Sequence, residues 1–72
     1  MGERVDVRGL SCPLPLIQVK AVIDRGAAEI EVHGDTPAAR ENIARLAGTM
    51  NYAVTEERTA PGEWKLLLTL KG

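Results

Sequence analysis

The chain has 72 residues, 44% hydrophobic and 26% charged, with nine Lys/Arg against ten Asp/Glu for a net charge of −1. That composition describes one small soluble domain, residues 1–72, with no net field to attract polyanions, and a chain this short buries only about 60% of its unfolded surface. One cysteine, Cys12, and one histidine, His33, exclude an intramolecular disulfide and a four-ligand Cys/His zinc site. No apolar run approaches the roughly 18 residues of a membrane span. MGERVDV also lacks the apolar stretch of a secretory signal. The expected compartment is the reducing cytoplasm, with Cys12 a free thiol. Basic residues are scattered and Tyr52 and Trp64 are the only aromatics, too few for a base-stacking platform, so direct nucleic-acid binding is not expected. Phosphate-loop and GxSxG patterns are absent.

In chain order, Glu3 to Arg8 alternates Val5 and Val7 against Asp6 and Arg8, a half-buried strand ended by Gly9. Pro13 through Arg25 places apolar residues at 15, 16, 19, 22 and 23, the stripe of a core-facing helix, and Gly26 stops it. Leu14, Ile17 and Ala21 fall on a flanking face, available to a neighbouring helix or a partner. Ala28, Ile30 and Val32 alternate with Glu29, Glu31 and His33 in a second strand with one wet face. Asp35 or Thr36 then caps a helix with Pro37 in its first position, buried along Ala39, Ile43, Leu46 and Ala47. That helix ends at Gly48 or runs on to Asn51. Tyr52 and Val54 begin a third strand, Ala60-Pro61-Gly62 marks a turn, and Trp64, Leu66, Leu68 and Leu70 point one way along a fourth.

The order β-α-β-α-β-β predicts an α/β fold, a two-layer sandwich with two helices on one face of a mixed four-stranded sheet. About twenty inward apolar side chains supply enough core for this length. Tyr52 and Trp64 belong to the core or its edge, and His33 is a solvated or hydrogen-bonded residue of the wet face.

Cys12 lies in Gly9-Leu10-Ser11-Cys12-Pro13-Leu14-Pro15, between the first strand and the first helix. A residue before proline is pushed out of the helical region, which makes Cys12 the expected N-cap and Pro13 the first helical residue. The positive end of the helix then favours thiolate over thiol. Both prolines lack an N–H, so the first turn offers donors only at Leu14 and Leu16 and would cradle a phosphate poorly. The alternative is a buried cysteine acting as a small hydrophobe.

The stretch VDVRGLSCPLPLIQVK, with its CPxP box at positions 12–15, resembles the TusA/SirA family of sulfur-carrier proteins. The similarity continues through Asp35-Thr36-Pro37, RENIARLA, NYAVTEE and the last strand, nearly the whole chain. RENIARLA and EWKLLLTL are most similar to the N-terminal domain of YedF-type proteins, loosely associated with selenium metabolism. The resemblance implies the same β-α-β-α-β-β sandwich and a sulfurtransferase-type relay. In that relay the box cysteine takes sulfane sulfur as a persulfide from a cysteine desulfurase or rhodanese. It passes the sulfur to a DsrE-like protein or domain, or to a downstream thiolation enzyme, with tRNA 2-thiouridine, molybdenum cofactor or sulfur oxidation downstream. No cofactor is implied. By the same resemblance Cys12 is the sulfur carrier, Gly9, Leu10, Pro13 and Pro15 its scaffold, and Asp35 the acidic residue of the second turn. Asn51 stands where many relatives have glycine, and Glu29 and Glu31 make the strand face unusually acidic.

If the first two strands are parallel neighbours, both helix N-termini open at the same sheet end and Asp35 and Thr36 line the sulfur site. A carboxylate there opposes thiolate formation, so Asp35 is expected as a positioning group or proton partner, or simply as the cap of the second helix. Arg8 is either a countercharge for the site or an ordinary solvated strand residue. A different functional class stays open: a non-catalytic interaction module in which the thiol is incidental. Without a second cysteine, any relay must be completed by another protein or domain.

Overall fold

The computed structural model describes residues 2–11 and 13–71. The elements are β1 (Glu3–Asp6), α1 (Leu14–Asp24), β2 (Glu29–Gly34), α2 (Pro37–Thr49), β3 (Tyr52–Glu57) and β4 (Trp64–Leu70), in the predicted β-α-β-α-β-β order. They form one mixed sheet in the spatial order β1-β2-β4-β3. β1 pairs parallel with β2, placing Val5 beside Val32, while β4 runs antiparallel to both β2 and β3. β3 therefore points the same way as β1 and β2, and β4 fills the gap between the two halves.

The alternation along each strand decides which face the helices cover. Val5, Val7, Ile30, Val32, Tyr52, Trp64, Leu66 and Leu68 are buried against Val19, Val22 and Ile23 of α1 and Ile43 and Ala47 of α2. Among the described residues thirteen hydrophobic side chains are buried and five more, including Leu16, Ala39 and Leu46, pack against them. Tyr52 and Trp64 are both core residues, and the Tyr52 hydroxyl donates to the Ala27 carbonyl. The core is thinner than expected at one corner. Val54, on the edge strand, and Leu70, the last residue of β4, keep 37% and 41% of their surface, and Ala28, just before β2, is exposed although its carbonyl accepts the Leu70 N–H at 2.7 Å.

The open face carries charge in ladders. Arg4 lies 3.6 Å from Glu31, Glu31 is hydrogen-bonded to His33, and Lys65 meets Glu57 at 2.9 Å. The bond to His33 lowers the pKa of Glu31, and the bond to Glu57 raises that of Lys65. His33 is thus a hydrogen-bonded residue of the polar face.

Element ends correct several expectations. β1 stops at Asp6, although Val7 continues the pairing through its N–H to the His33 carbonyl at 2.7 Å. Helix α1 begins one residue later than expected: Pro13 occupies the cap position, with no side-chain cap, and Leu14 is the first helical residue. The Leu14 N–H closes a turn onto the Ser11 carbonyl at 3.0 Å, so it is not a donor for an anion. The predicted capping role of Cys12 falls outside the described residues. At the second helix Thr36, not Asp35, is the N-cap, its hydroxyl accepting from the Ala39 N–H at 3.4 Å. α2 runs past Gly48 to Thr49, and Asn51 turns the chain with φ of 68°.

Candidate functional site

Because β1 and β2 are parallel neighbours, the loops that follow them emerge at the same sheet end. The loop after β1 has four consecutive backbone donors engaged. Val7 donates to His33, Arg8 to the Asp6 carboxylate, Gly9 to Asp35, and Leu10 back to the Val7 carbonyl. Gly9 takes φ of 76°, a left-handed conformation that side chains rarely adopt. Its N–H meets both oxygens of Asp35, at 3.3 and 3.2 Å. Asp35, released from capping by Thr36, ties the loop of the CPxP box to the turn that starts α2.

Arg8 faces a different carboxylate. Its Nε and Nη2 donate to Asp6 at 3.0 and 2.7 Å, a bidentate pair, and its Nη1 lies 3.7 Å from Glu63. The side-chain hydrogen bond from Arg8, followed by its backbone bond, holds Asp6 far below the usual carboxylate range. The same hydrogen bond raises the pKa of Arg8, with Glu63 and Asp35 adding smaller charge effects.

Between the N-terminal turns of α1 and α2 runs an open, mostly apolar groove of about 230 Å³. Leu10, Ser11, Pro13, Pro15 and Leu16 form one wall, and Thr36, Ala38, Ala39 and Asn42 the other. Both chain neighbours of Cys12, Ser11 and Pro13, line it. Cys12 itself is outside the described residues. Of the other expected site residues, Gly9, Leu10, Pro13, Pro15 and Asp35 are gathered around this loop, while Arg8 is turned to Asp6 and Glu63. Pro13 is exposed and Pro15 buried, so one proline rims the groove and the other anchors the helix.

Ala38 and Asn42, which form part of the second wall, and the contact of Trp64 with the second turn lie outside the expected site residues. The available signal was Ala38-Ala39 directly after Pro37: two small residues in a first helical turn leave room beside the preceding loop. No local signal marks the bond from the Trp64 indole N–H to the Thr36 carbonyl at 2.9 Å, because it spans 28 residues.

Two helices over one face of a mixed sheet, with the loop after β1 tied to the turn before α2, define a small α/β sandwich. The family described as sulfurtransferase TusA matches residues 3–70, and the chain belongs to that family. A candidate sulfur carrier protein of Methanocaldococcus jannaschii is 29% identical over 68 residues, covering 92% of this chain and 91% of that protein. The crystal structure of a SirA-like protein from Desulfitobacterium hafniense superposes with a TM-score of 0.79 at 26% identity, covering 96% of each chain. These relationships support a sulfur-carrier role and dealings with sulfur donors and acceptors in general. Among the described residues no helix is long and apolar enough to cross a membrane.

Proposed function

We propose that Cys12 carries sulfane sulfur as a persulfide, loaded by a cysteine desulfurase or rhodanese and unloaded onto a DsrE-like or other thiolation partner. The observation that carries this reading is the braced loop: Gly9 is fixed by Asp35 three residues before the only cysteine of a TusA-family chain. In the loading step the Cys12 thiolate attacks the outer sulfur of the donor's persulfide. The donor's S–S bond breaks as a new S–S bond forms on Cys12, the donor leaves as a thiolate, and the proton travels with the transferred sulfur. No net oxidation occurs and no cofactor is required. Unloading repeats the exchange with the partner's thiolate as nucleophile. With no second cysteine, the chain cannot capture its own persulfide as an internal disulfide, so the sulfur waits for a partner.

Leu14 and Ile17, 47% and 56% exposed and one turn apart on α1, offer such a partner an apolar contact next to the loop. Gly9, Leu10, Pro13 and Pro15 act as scaffold, and Asp35 holds it. Arg8 stiffens the loop entrance through Asp6. The test is intact mass after incubation with a cysteine desulfurase and L-cysteine. The expected result is a reducible adduct of one sulfur on the wild type and none on Cys12→Ser; an adduct that persists in Cys12→Ser refutes the reading.

A further inference from the structure

The turn that grips the Gly9 loop is itself gripped from behind. Trp64 opens β4 directly opposite Gly34, the last residue of β2. A Cβ on Gly34 would lie 2.1 Å from the Trp64 ring, so the indole occupies the space that only a glycine leaves. From there, 5% exposed, its N–H donates to the Thr36 carbonyl at 2.9 Å. That carbonyl also accepts the Arg40 N–H at 3.2 Å, the first bond of α2, while the Thr36 hydroxyl caps the same helix. Thr36 is therefore immobilised at both of its oxygens, and Asp35, its neighbour, is left to reach Gly9. The residue before Trp64 strengthens the connection, since Glu63 lies 3.7 Å from Arg8, which precedes Gly9.

We infer that Trp64 is a positioning residue for sulfur transfer. By fixing the Thr36 carbonyl it sets where Asp35 holds Gly9, and so how the loop presents Cys12 to a partner. This role rests on the persulfide reading above. Exchange between two sulfurs requires an aligned approach, and small displacements of a reacting group lower the rate steeply. The brace uses a core side chain to transmit the rigidity of the sheet to an exposed loop.

The test combines three substitutions with two readouts. Trp64→Phe keeps an aromatic ring in the core and removes the N–H donor together with part of the indole that packs beside Gly34. Asp35→Ala removes the grip on Gly9, and Asp35→Asn retains an acceptor oxygen without charge. The first readout, independent of sulfur chemistry, is hydrogen exchange of the Gly9 amide. It should quicken about threefold to tenfold in Trp64→Phe and in Asp35→Ala, the scale of one lost hydrogen bond. The second is persulfide loading from a cysteine desulfurase and L-cysteine. The saturated rate should fall by about the same factor while the half-saturating desulfurase concentration stays within about twofold.

Asp35→Asn should recover most of the Asp35→Ala loss, and the double variant Trp64→Phe/Asp35→Ala should be no slower than Asp35→Ala alone. Thermal unfolding followed by circular dichroism verifies that each variant is folded, and if Trp64→Phe does not fold, an unchanged Gly9 amide in Asp35→Ala still overturns the brace through which Trp64 acts. An unchanged Gly9 amide, an unchanged loading rate, additive losses, or Asp35→Asn as slow as Asp35→Ala overturns the role of Trp64 while leaving the carrier reading intact. A wild-type chain that takes up no sulfur overturns both, and the exchange data still show whether the brace exists.

Discussion

Arg8 holds Asp6 by its backbone N–H and by two nitrogens of its guanidinium, all within 3.0 Å. The carboxylate is thereby kept ionised far into acid, with the bonds from Arg8 as the leading cause. A depressed folded pKa adds stability at every pH above the ordinary aspartate value of about 3.9, and that stability is lost as the pH falls below it toward the folded value. Carboxyl-carbon NMR should find Asp6 still ionised where an ordinary aspartate is half protonated, and Arg8→Ala should return its midpoint to the usual range. A normal midpoint in the wild type would mean that the pair does not persist in solution.

Asp35 shows what residue type alone leaves open. Aspartate and threonine are both good N-caps, so positions 35 and 36 compete within any local window. The choice is made by the Gly9 N–H, 26 residues away in sequence and brought alongside by strand pairing.

At the scale of elements, period and punctuation carried most of the information. Apolar positions 15, 19, 22 and 23 became the buried stripe of α1, and the alternation of β2 and β4 became the two faces of the sheet. The start of α1 was less legible. Proline at 13 fits either a cap or a first helical position, and the bond from Leu14 to Ser11 selects the cap. The flanking face of α1 was visible as Leu14 and Ile17, and both remain exposed. Ile17→Glu should change unfolding free energy by no more than about 0.5 kcal/mol, as is usual for a surface position. If donors dock on this face, it should raise the half-saturating desulfurase concentration for sulfur loading roughly tenfold, the effect of one apolar anchor. An unchanged concentration in a titration of loading rate would exclude α1's outer face from donor docking.

For the whole molecule, chain order and handedness were enough to place two helices on one face of a mixed sheet. The insertion of β4 between β2 and β3 was not, because it depends on pairings such as Gly34 with Trp64 that lie 30 positions apart. The same contacts bind the layers together. Ile43, fully buried, anchors α2, the helix that supplies the second wall of the groove and begins at the braced turn. At about 0.05–0.15 kcal/mol per residue, a chain of this length has an unfolding free energy of roughly 4–11 kcal/mol. Truncating a buried isoleucine to alanine removes about 2–5 kcal/mol, and to valine about 0.5–1.5 kcal/mol. Urea denaturation should therefore show Ile43→Ala stripped of a large share of its stability and Ile43→Val only mildly affected. Because α2 carries Thr36 at its start, loosening it also loosens the support of the Gly9 loop, so Ile43→Ala should load sulfur more slowly even where it remains folded. A loss below about 1 kcal/mol would mean that the groove's second wall is not held by the core.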